Sequence, residues 1–426
     1  MRARAECLPL LLRAAVVLIA AAALCRVMAS VTGSGDYLLG RPVNGDNAAP
    51  AIDALVHGHL GTLASHQPLM GLVTLVWRAP FAGTAMWLGA GHQLVYQAGV
   101  VACLMATLAA AWWLAGRAHS PAQYAAVAMA AALIAGGPIT GAAAQIGHPE
   151  EILTVLLAAA SVICAGQDRR RSAAILVGLA IGAKPWALLA APCVLLALPG
   201  GRVRVAALAA VVAAPAVALL PFLNPGAYGR ASHYIGALDS VTPWDLWWPM
   251  ASPGASSHHL PFSLTRTGAT AIVFALAAAG IWAYARRLRS SQSGGRIDGL
   301  ALFCALGLLR CLADPAPVAY YYAAVVIPLA LWEAGFRRRF PFLALLVSLA
   351  VGGFPQDLAL AARAQGWLGV IVVIALWLLA AAALFIYLVR NAVRPRIEAD
   401  LAGQEEGRAS GWRGNPSSGM GSQAAA

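Results

Sequence analysis

The sequence predicts an all-α fold, a polytopic bundle of about 10–12 membrane-spanning helices with two long external loops. Three observations favour this class. Of the 426 residues, 60% are hydrophobic and 11% are charged, whereas a soluble domain typically carries ~25% charged residues. Apolar runs long enough to cross a bilayer recur along the chain, and short arginine clusters separate them. The composition therefore excludes a water-soluble domain.

The apolar runs predict the individual helices, because a spanning helix needs ~20 apolar residues. The stretch 172–199 is too long for one span, and we expect breaks at Lys184–Pro185 and at Pro192 that divide it into two legs. The predicted helices lie near 9–29, 91–115, 121–136, 150–166, 172–187, 189–199, 204–223, 267–285, 299–313, 317–335, 340–354 and 367–389.

The arginines predict the orientation of these helices. With the N-terminus in the cytoplasm and alternating sides, 20 arginines fall in cytoplasmic segments. Five fall outside: Arg41, Arg78, Arg230, Arg266 and Arg363. This positive-inside bias predicts a multi-pass protein of the plasma membrane with both termini in the cytoplasm. The clusters between apolar runs also explain the net charge of +12 without nucleic acid as a partner.

The first apolar run, Leu8–Ala29, exceeds the ~7–15 residues of a secretory signal, so we expect an uncleaved helix. We expect a single transmembrane domain at 1–397 and a disordered cytoplasmic tail at 398–426. The external loops are predicted at about 30–90 and 224–266. The first should hold a short helix near Pro50–Leu63 and an apolar segment, Leu69–Trp77, that lies in the membrane interface.

Histidines and carboxylates show the opposite bias to the arginines. Of nine histidines, only His119 falls in a cytoplasmic segment, and nine of the 17 acidic residues are external. A membrane protein has little reason to collect these groups on one side unless they have a role there. The seven cysteines lie in or beside apolar segments, so we expect neither a disulfide framework nor a thiolate metal site.

Asp46 in the first external loop is a candidate general base. An aspartate beside a membrane-embedded cavity can accept the proton of an acceptor hydroxyl. The surrounding Asn44-Gly45-Asp46-Asn47 is also ordinary turn and N-cap sequence, so a purely structural role stays open. Asp53, seven residues later, is a second candidate.

Lys184 is the only lysine in the chain and lies inside an apolar stretch beside a proline. An ionisable side chain within a membrane segment indicates a functional site, and a broken helix is tolerated at such depth where it lines a cavity. A lone ammonium there could bind a lipid phosphate. The alternative is a lysine at a helix end whose ammonium reaches to the membrane surface.

Gly147-His148-Pro149-Glu150-Glu151 precedes another predicted helix. Proline at the start of a helix and acids in its first turn stabilise its N-terminus, and this alone explains Glu150 and Glu151. His148 is the more informative residue, because the predicted topology places it at the same external surface as Lys184.

The remaining candidates are less specific. His57, His59 and His66 match no standard ligand spacing, so we predict no metal. Tyr320-Tyr321-Tyr322 suits an aromatic girdle or, alternatively, sugar stacking. The chain has no Walker or dinucleotide-type glycine motif, which argues against a nucleotide donor or an ATP-driven pump. We expect no cofactor.

Three stretches resemble a known family. Gly147–Leu153 is similar to a Gly-Gln-x-Asn-x-Leu motif, with histidine in place of glutamine and glutamate in place of asparagine. Val177–Pro185 resembles a Gly-Leu-Ala-x-x-x-Lys-x-x-Pro signature, with proline directly after the lysine. With the Asp46 region, these motifs give residues 10–390 a resemblance to the GT-C superfamily of membrane glycosyltransferases, most of all to the bacterial alpha-(1→2)-mannosyltransferase-type family.

The resemblance implies an inverting transfer of a hexose, expected to be mannose, from a polyprenyl-phosphate donor in an external active site. The acceptor would be a lipid or cell-envelope glycan, and membrane lipids surround the enzyme. Asp46 would be the base, and Lys184 and His148 would hold the donor phosphate. The candidate substrate-binding residues are Asp53, His66, Glu150 and Tyr321.

Two other classes of protein stay open. A transporter or lipid flippase would also use a broken helix, although such proteins often show internal repeats and this chain has no convincing one. A non-catalytic envelope-assembly protein descended from the enzyme family is the other alternative. Such a protein should tolerate Asp46→Ala, whereas the enzyme should not.

Overall fold

The computed structural model describes residues 2–33, 37–38, 41–42, 48–59, 71–145, 147–198, 200–223, 297–313, 319–352 and 366–393, with three isolated positions between 226 and 275. Almost all of these residues are helical, which confirms the all-α class. The one strand pairing in this part of the chain is a two-residue antiparallel contact between β1 (Tyr37–Leu38) and β2 (Arg41–Pro42).

The described α-helices are numbered in chain order. They are α1 (Arg2–Gly33), α2 (Ala48–Val56), α3 (Leu72–Trp87), α4 (His92–Ala115), α5 (Pro121–Gly136), α6 (Pro138–Gln145), α7 (Glu150–Gly166), α8 (Arg170–Ala183), α9 (Ala190–Ala197), α10 (Arg202–Leu223), α11 (Gly299–Ala313), α12 (Ala323–Ala330), α13 (Phe342–Gly352) and α14 (Gly366–Val393). 3₁₀ turns at Pro185–Leu189 and Ala319–Tyr322 precede α9 and α12, and a π-helical turn, Leu331–Phe336, follows α12.

Five helical segments in the described residues are long and apolar enough to cross a membrane: Leu8–Val31, Gln93–Ala115, Pro121–Gln145, Ala319–Phe336 and Ala375–Ala392. Three shorter apolar helical segments accompany them: Pro185–Ala197, Gly299–Ala313 and Phe342–Gly352. Large apolar side chains remain exposed along the outer helices, as expected of surfaces that face lipid rather than water. The chain is therefore a polytopic helical membrane bundle.

Small residues allow the helices to pack closely. A Cβ at Gly299 would lie 2.7 Å from Val162 of α7, and one at Gly307 would lie 2.5 Å from the carbonyl oxygen of Ala324 in α12. The main core is accordingly rich in alanine. Close backbone approach through small residues is the usual basis of helix association in membranes, where lipid removes the hydrophobic driving force.

Alternating helix directions give the bundle two ends of different composition. At the first, here called the arginine end, Arg117 donates to the Gly335 carbonyl at 3.4 Å, and Arg337 donates to Asn391. The described arginines at this end include Arg13, Arg117, Arg169, Arg170, Arg171, Arg202, Arg204, Arg337, Arg338, Arg339 and Arg390.

The other end, here called the lysine end, contains His148, Glu150 and Lys184. Most of the described arginines therefore lie at one end, as the sequence predicts, whereas the described carboxylates lie at both ends, with Asp168, Asp298 and Glu333 at the arginine end. Which of the two ends faces the cytoplasm stays a prediction.

The break at Lys184 is confirmed and the break at Pro192 is not. Helix α8 ends at Ala183, and Lys184 is extended with φ −146° and ψ 123° because the proline that follows disfavours helical backbone. The chain then returns towards the arginine end through Pro185–Leu189 and α9. Pro192 lies within the first turn of α9, where a proline removes no helical hydrogen bond.

The first predicted loop is more helical than the sequence suggested. The short helix expected near Pro50–Leu63 ends at Val56, where the chain turns through Gly58 with φ +72°. Of the apolar segment expected at Leu69–Trp77, residues 72–77 form the start of α3, which continues to Trp87 and packs against α2, α4 and α8. The structure thus makes this region part of the bundle.

Several predictions lie outside the described residues. They concern Asp46, His66, the helix near 267–285, the disordered tail at 398–426 and nearly all of the second loop at about 224–266. These remain predictions.

Candidate functional site

A buried cluster of charged residues lies at the lysine end, where α7 begins, α8 ends and the turn before α12 starts. The Lys184 ammonium is 3.0 Å from Oε1 of Glu150 and 3.5 Å from Oε1 of Glu151. Both carboxylates are buried, with Glu150 at 0% and Glu151 at 2% exposure. Opposite charges this close stabilise each other where neither is well hydrated.

The helix-start explanation of the two glutamates is therefore incomplete. Both do lie in the first turn of α7, where the helix dipole favours negative charge. A surface position would satisfy that role equally well. Burial beside Lys184, which follows α8, instead costs the free energy of removing the carboxylates from water. The structure thus brings three of the sequence-predicted residues, Lys184, His148 and Glu150, into one cluster.

His148 is held against the same carboxylate. Its Nδ1 is 3.0 Å from Oε1 of Glu150, and its ring centroid lies 5.0 Å from that of Tyr320. Its backbone N–H donates to the Ala143 carbonyl at 2.8 Å, and Gly147 before it adopts φ +88°, a conformation that favours glycine. The tight turn between α6 and α7 therefore fixes where the imidazole lies.

Aromatic residues enclose the cluster. Trp186 donates its indole N–H to Oε2 of Glu151 at 2.8 Å. The guanidinium of Arg310 lies 4.3 Å from the centroid of Trp186 and 4.6 Å from that of Tyr321, which packs edge-on against Tyr320. Tyr321 also interacts electrostatically with Lys184. Tyr321 thus belongs to the site, and Arg310 enters it through cation–π contacts.

Arg78 is a cluster member that the sequence analysis missed. The sequence predicts Arg78 in the first external loop, but its side chain is fully buried in α3 and interacts electrostatically with Glu150. It fits only because α4 has no side chain at Gly99, where a Cβ would lie 2.6 Å from Nε of Arg78. An arginine within an apolar run is the same signal that identified Lys184.

Helix α3 is anchored beside the lysine through its first turn. The Thr74 hydroxyl donates to the Ala183 carbonyl at 3.3 Å. A side chain at Gly71 would collide with the carbonyl oxygens of Gly182 and Ala183, so glycine is required for this approach. Helix α2 packs in turn on α3, with Val56 against Gly83. The loop that carries Asp46 therefore leads into a helix anchored, through α3, beside Lys184.

Asp53 is not brought into the cluster. It lies on the exposed face of α2, with its side chain 58% exposed, and pairs with His57 at 3.3 Å. An exposed i,i+4 pair of this kind contributes little to stability. The surroundings of Asp53 are therefore those of an ordinary exposed helix surface, and nothing near it in the described part of the chain marks it as a base.

No group of three metal-ligating side chains is placed to hold an ion among the described histidines, cysteines and carboxylates. The six described cysteines are free thiols. Oε2 of Glu150 is a buried oxygen of the cluster that has no hydrogen-bond partner within the described part of the chain. Such an atom can accept a hydrogen bond from a bound ligand.

The cluster as a whole can bind an anion. Its described members supply three fixed positive charges, Arg78, Lys184 and Arg310, against the carboxylates of Glu150 and Glu151. His148 can add a further positive charge when protonated. An excess of positive charge in a site shielded from water attracts a phosphate more strongly than the same charges on a surface.

No protein-family model, curated protein or solved structure matches this chain.

Proposed function

We propose that the protein is an integral membrane hexosyltransferase. It transfers a hexose, with mannose as the expected sugar, from a polyprenyl-phosphate donor to a lipid or cell-envelope glycan acceptor on the extracytoplasmic side. The observation that carries the proposal is the contact of Lys184 with Glu150 at 3.0 Å. The two stretches that resemble the glycosyltransferase family thereby meet in one buried site, as residues that share a substrate must.

The donor phosphate binds at Lys184 in this proposal. An ammonium group has three hydrogen-bond donors. Glu150 lies within hydrogen-bond distance at 3.0 Å and Glu151 is an ion-pair partner at 3.5 Å, so a donor remains for a phosphate oxygen. The two carboxylates hold the ammonium in place, while Arg78 and Arg310 supply further positive charge. Groups fixed in this way stabilise charge as it develops on the leaving phosphate without having to reorient.

The transfer itself is a single displacement. The acceptor hydroxyl gives its proton to the carboxylate of Asp46, and its oxygen attacks the anomeric carbon from the face opposite the phosphate. The bond between that carbon and the phosphate oxygen breaks, and polyprenyl phosphate leaves with the electron pair. The sugar is transferred with inversion, and Asp46 later loses the proton to water. Asp46 precedes α2 by two residues, and α2 packs on the helix whose first turn contacts Ala183.

The test is sugar transfer in membranes that contain the full-length protein, with radiolabelled polyprenyl-phosphate-mannose and endogenous acceptors. We expect the wild type to transfer label, and Asp46→Asn to lose transfer by about 10²–10⁴-fold, the usual contribution of a general base. Lys184→Ala should lose transfer as well, because no ammonium then stabilises the negative charge that develops on the leaving phosphate. Arg171→Ala at the arginine end is the matched control and should transfer label like the wild type.

Expression and thermal stability of every variant are measured alongside, so that loss of fold is not read as loss of chemistry. Full transfer by both Asp46→Asn and Lys184→Ala would refute the site. A wild-type protein that transfers no label from polyprenyl-phosphate-linked mannose, glucose or galactose would refute the enzyme class.

A transporter is the second candidate, and the interrupted helix at Lys184 is the observation that favours it. Transporters commonly bind substrate where discontinuous helices meet. The two functions differ in the fate of the label. A transporter reconstituted in vesicles moves a labelled lipid between leaflets and leaves it chemically unchanged, whereas the transferase attaches the label to a new acceptor.

A further inference from the structure

A second feature lies apart from the charged cluster, in a groove between α11, α13, α14 and the two turns that flank α12. It has a volume of about 580 Å³, within the range of small-molecule sites. Its lining is almost wholly apolar, with side chains that include Phe342, Leu346, Ala350, Trp377 and Leu384. Phe342 and Leu346 are among the most exposed large apolar residues of α13, so the groove opens onto the lipid-facing surface of the bundle.

The groove has the length of one leaflet of a bilayer. Along α14 its lining runs from Trp377 to Tyr387, a separation of ten residues that covers about 15 Å at the helical rise. The hydrocarbon core of a bilayer is about 30 Å thick, so one leaflet contributes about half of that. A single acyl chain that enters from one membrane surface would therefore fill the groove.

The polar end of the groove carries a fixed arginine. Arg339 donates to Oε1 of Glu333 at 3.0 Å and to the hydroxyl of Tyr387 at 2.9 Å. Glu333 is itself buried, and its second oxygen accepts the backbone N–H of Ala344 at 3.0 Å. These contacts orient the guanidinium at the end of the groove. A guanidinium has five donors, so the geometry leaves others for a phosphate.

The neighbouring residues make this end positive. Arg337 stacks on Trp332 at 4.9 Å, and Arg338 follows in a left-handed turn with φ +53°. Two carboxylates lie near these three arginines: Glu333 pairs with Arg339, and Asp298 accepts the indole N–H of Trp332 at 2.6 Å. Positive charge remains in excess at the mouth of an apolar groove.

We propose that this groove binds an anionic phospholipid of the leaflet at the arginine end, with one acyl chain between α13 and α14 and the phosphate at Arg339. Basic pockets between membrane helices are suited to anionic headgroups. A polyprenyl chain is longer than one leaflet, and the groove is one leaflet deep, so an acyl chain fits it better. The site lies at the opposite end of the bundle from Lys184 and does not depend on the proposed enzyme activity.

The test measures which lipid the full-length protein retains. The protein is reconstituted into nanodiscs of equimolar phosphatidylglycerol and phosphatidylcholine, released into mild detergent and examined by native mass spectrometry. We expect bound phosphatidylglycerol in excess over phosphatidylcholine. Arg339→Gln should lower that preference about fivefold, the effect of one arginine near an anionic surface. Arg204→Gln, an exposed arginine at the same end, should leave it unchanged.

A second pair of variants tests the groove without altering any charge. Ala383→Trp places a large side chain on the lining and should abolish phosphatidylglycerol retention, whereas Ala382→Trp on the exposed neighbouring position should not. Arg339→Gln removes the charged partner of buried Glu333 and can therefore prevent folding. The two alanine variants keep the test decisive in that case.

Phosphatidylglycerol with a diazirine at the end of its acyl chain should label α13 and α14 more than the lipid-facing α1. Equal labelling of all three helices would overturn the proposal. So would equal retention in Ala383→Trp and Ala382→Trp, or displacement of the phospholipid by polyprenyl phosphate added in equal amount.

Discussion

Lys184 balances two buried carboxylates, so its removal should cost stability as well as activity. Lys184→Met keeps most of the side-chain volume and leaves Glu150 and Glu151 buried beside an uncharged group. We expect the free energy of unfolding to fall by about 3–5 kcal/mol, the usual cost of one missing partner in a buried ion pair. Titration with sodium dodecyl sulfate in mixed micelles measures this change.

The control for that prediction is the combined variant. Glu150→Gln in the Lys184→Met background removes one of the stranded charges and should restore part of the lost stability. Glu150→Gln alone leaves Lys184 paired with Glu151 and should cost less than Lys184→Met. Strictly additive effects of the two substitutions would contradict the direct contact seen at 3.0 Å.

At the residue scale, the sequence identified Lys184 and His148 as members of one site but did not explain the glutamates. Glu150 and Glu151 match the local rules for a helix start, and those rules contain nothing about a lysine 33 residues away. Arg78 was missed for a related reason. Its burial depends on the empty space at Gly99 in another helix, and one sequence does not show which helices are neighbours.

At the scale of helices, the contact of α3 with α8 is a point where glycine is required. Gly71→Ala would press a methyl group against the carbonyl oxygens of Gly182 and Ala183. We expect a loss of about 1–3 kcal/mol, typical of overpacking, and a fall in sugar transfer because Lys184 directly follows Ala183. Denaturant titration and the transfer assay measure the two effects.

Gly141→Ala in α6 is the matched substitution. A Cβ there would meet nothing within 4 Å, so the variant should be as stable as the wild type or gain roughly 0.5–1 kcal/mol from helix propensity. If Gly71→Ala behaved like Gly141→Ala, α3 would not approach α8 as closely as described.

Helix positions were predictable because long apolar runs carry most of the information in a membrane bundle. The expected run at 150–166 matches α7, and that at 299–313 matches α11. The failures are at shorter elements. A proline within an apolar run predicts a break, but Pro192 lies in the first turn of α9, where a proline is harmless. The segment Leu69–Trp77 alone predicts an interfacial position, because the contacts of α3 with α2, α4 and α8 are tertiary.

At the scale of the whole molecule, the sequence predicted that most arginines gather at one end of the bundle. Arginines collect where Gly335 meets Arg117, whereas His148, Glu150 and Lys184 lie at the opposite end together with Arg78 and Arg310. Each helix reverses the direction of the chain, so clusters that follow every second helix fall at the same end. Alternation does not say which end faces the cytoplasm, and only the positive-inside rule assigns that.

That assignment leads to a topological prediction. In a variant whose native cysteines are replaced by alanine, one new cysteine is placed either at Gly91, at the lysine end, or at Gln167, at the arginine end. Both positions are exposed, and a Cβ at Gly91 meets nothing within 4 Å. A membrane-impermeant maleimide should label Gly91→Cys in intact cells, because the lysine end is expected to face outwards. Gln167→Cys should react only in inverted vesicles.

The outcomes separate the fold from its orientation. Labelling of both cysteines from the same side would contradict the two-ended bundle itself, since α4 and α7 would then not run as described. Labelling of Gln167→Cys in intact cells and of Gly91→Cys only in inverted vesicles would keep the fold and reverse its orientation. The charged cluster would then face the cytoplasm, and a transfer reaction on the extracytoplasmic side could not take place there.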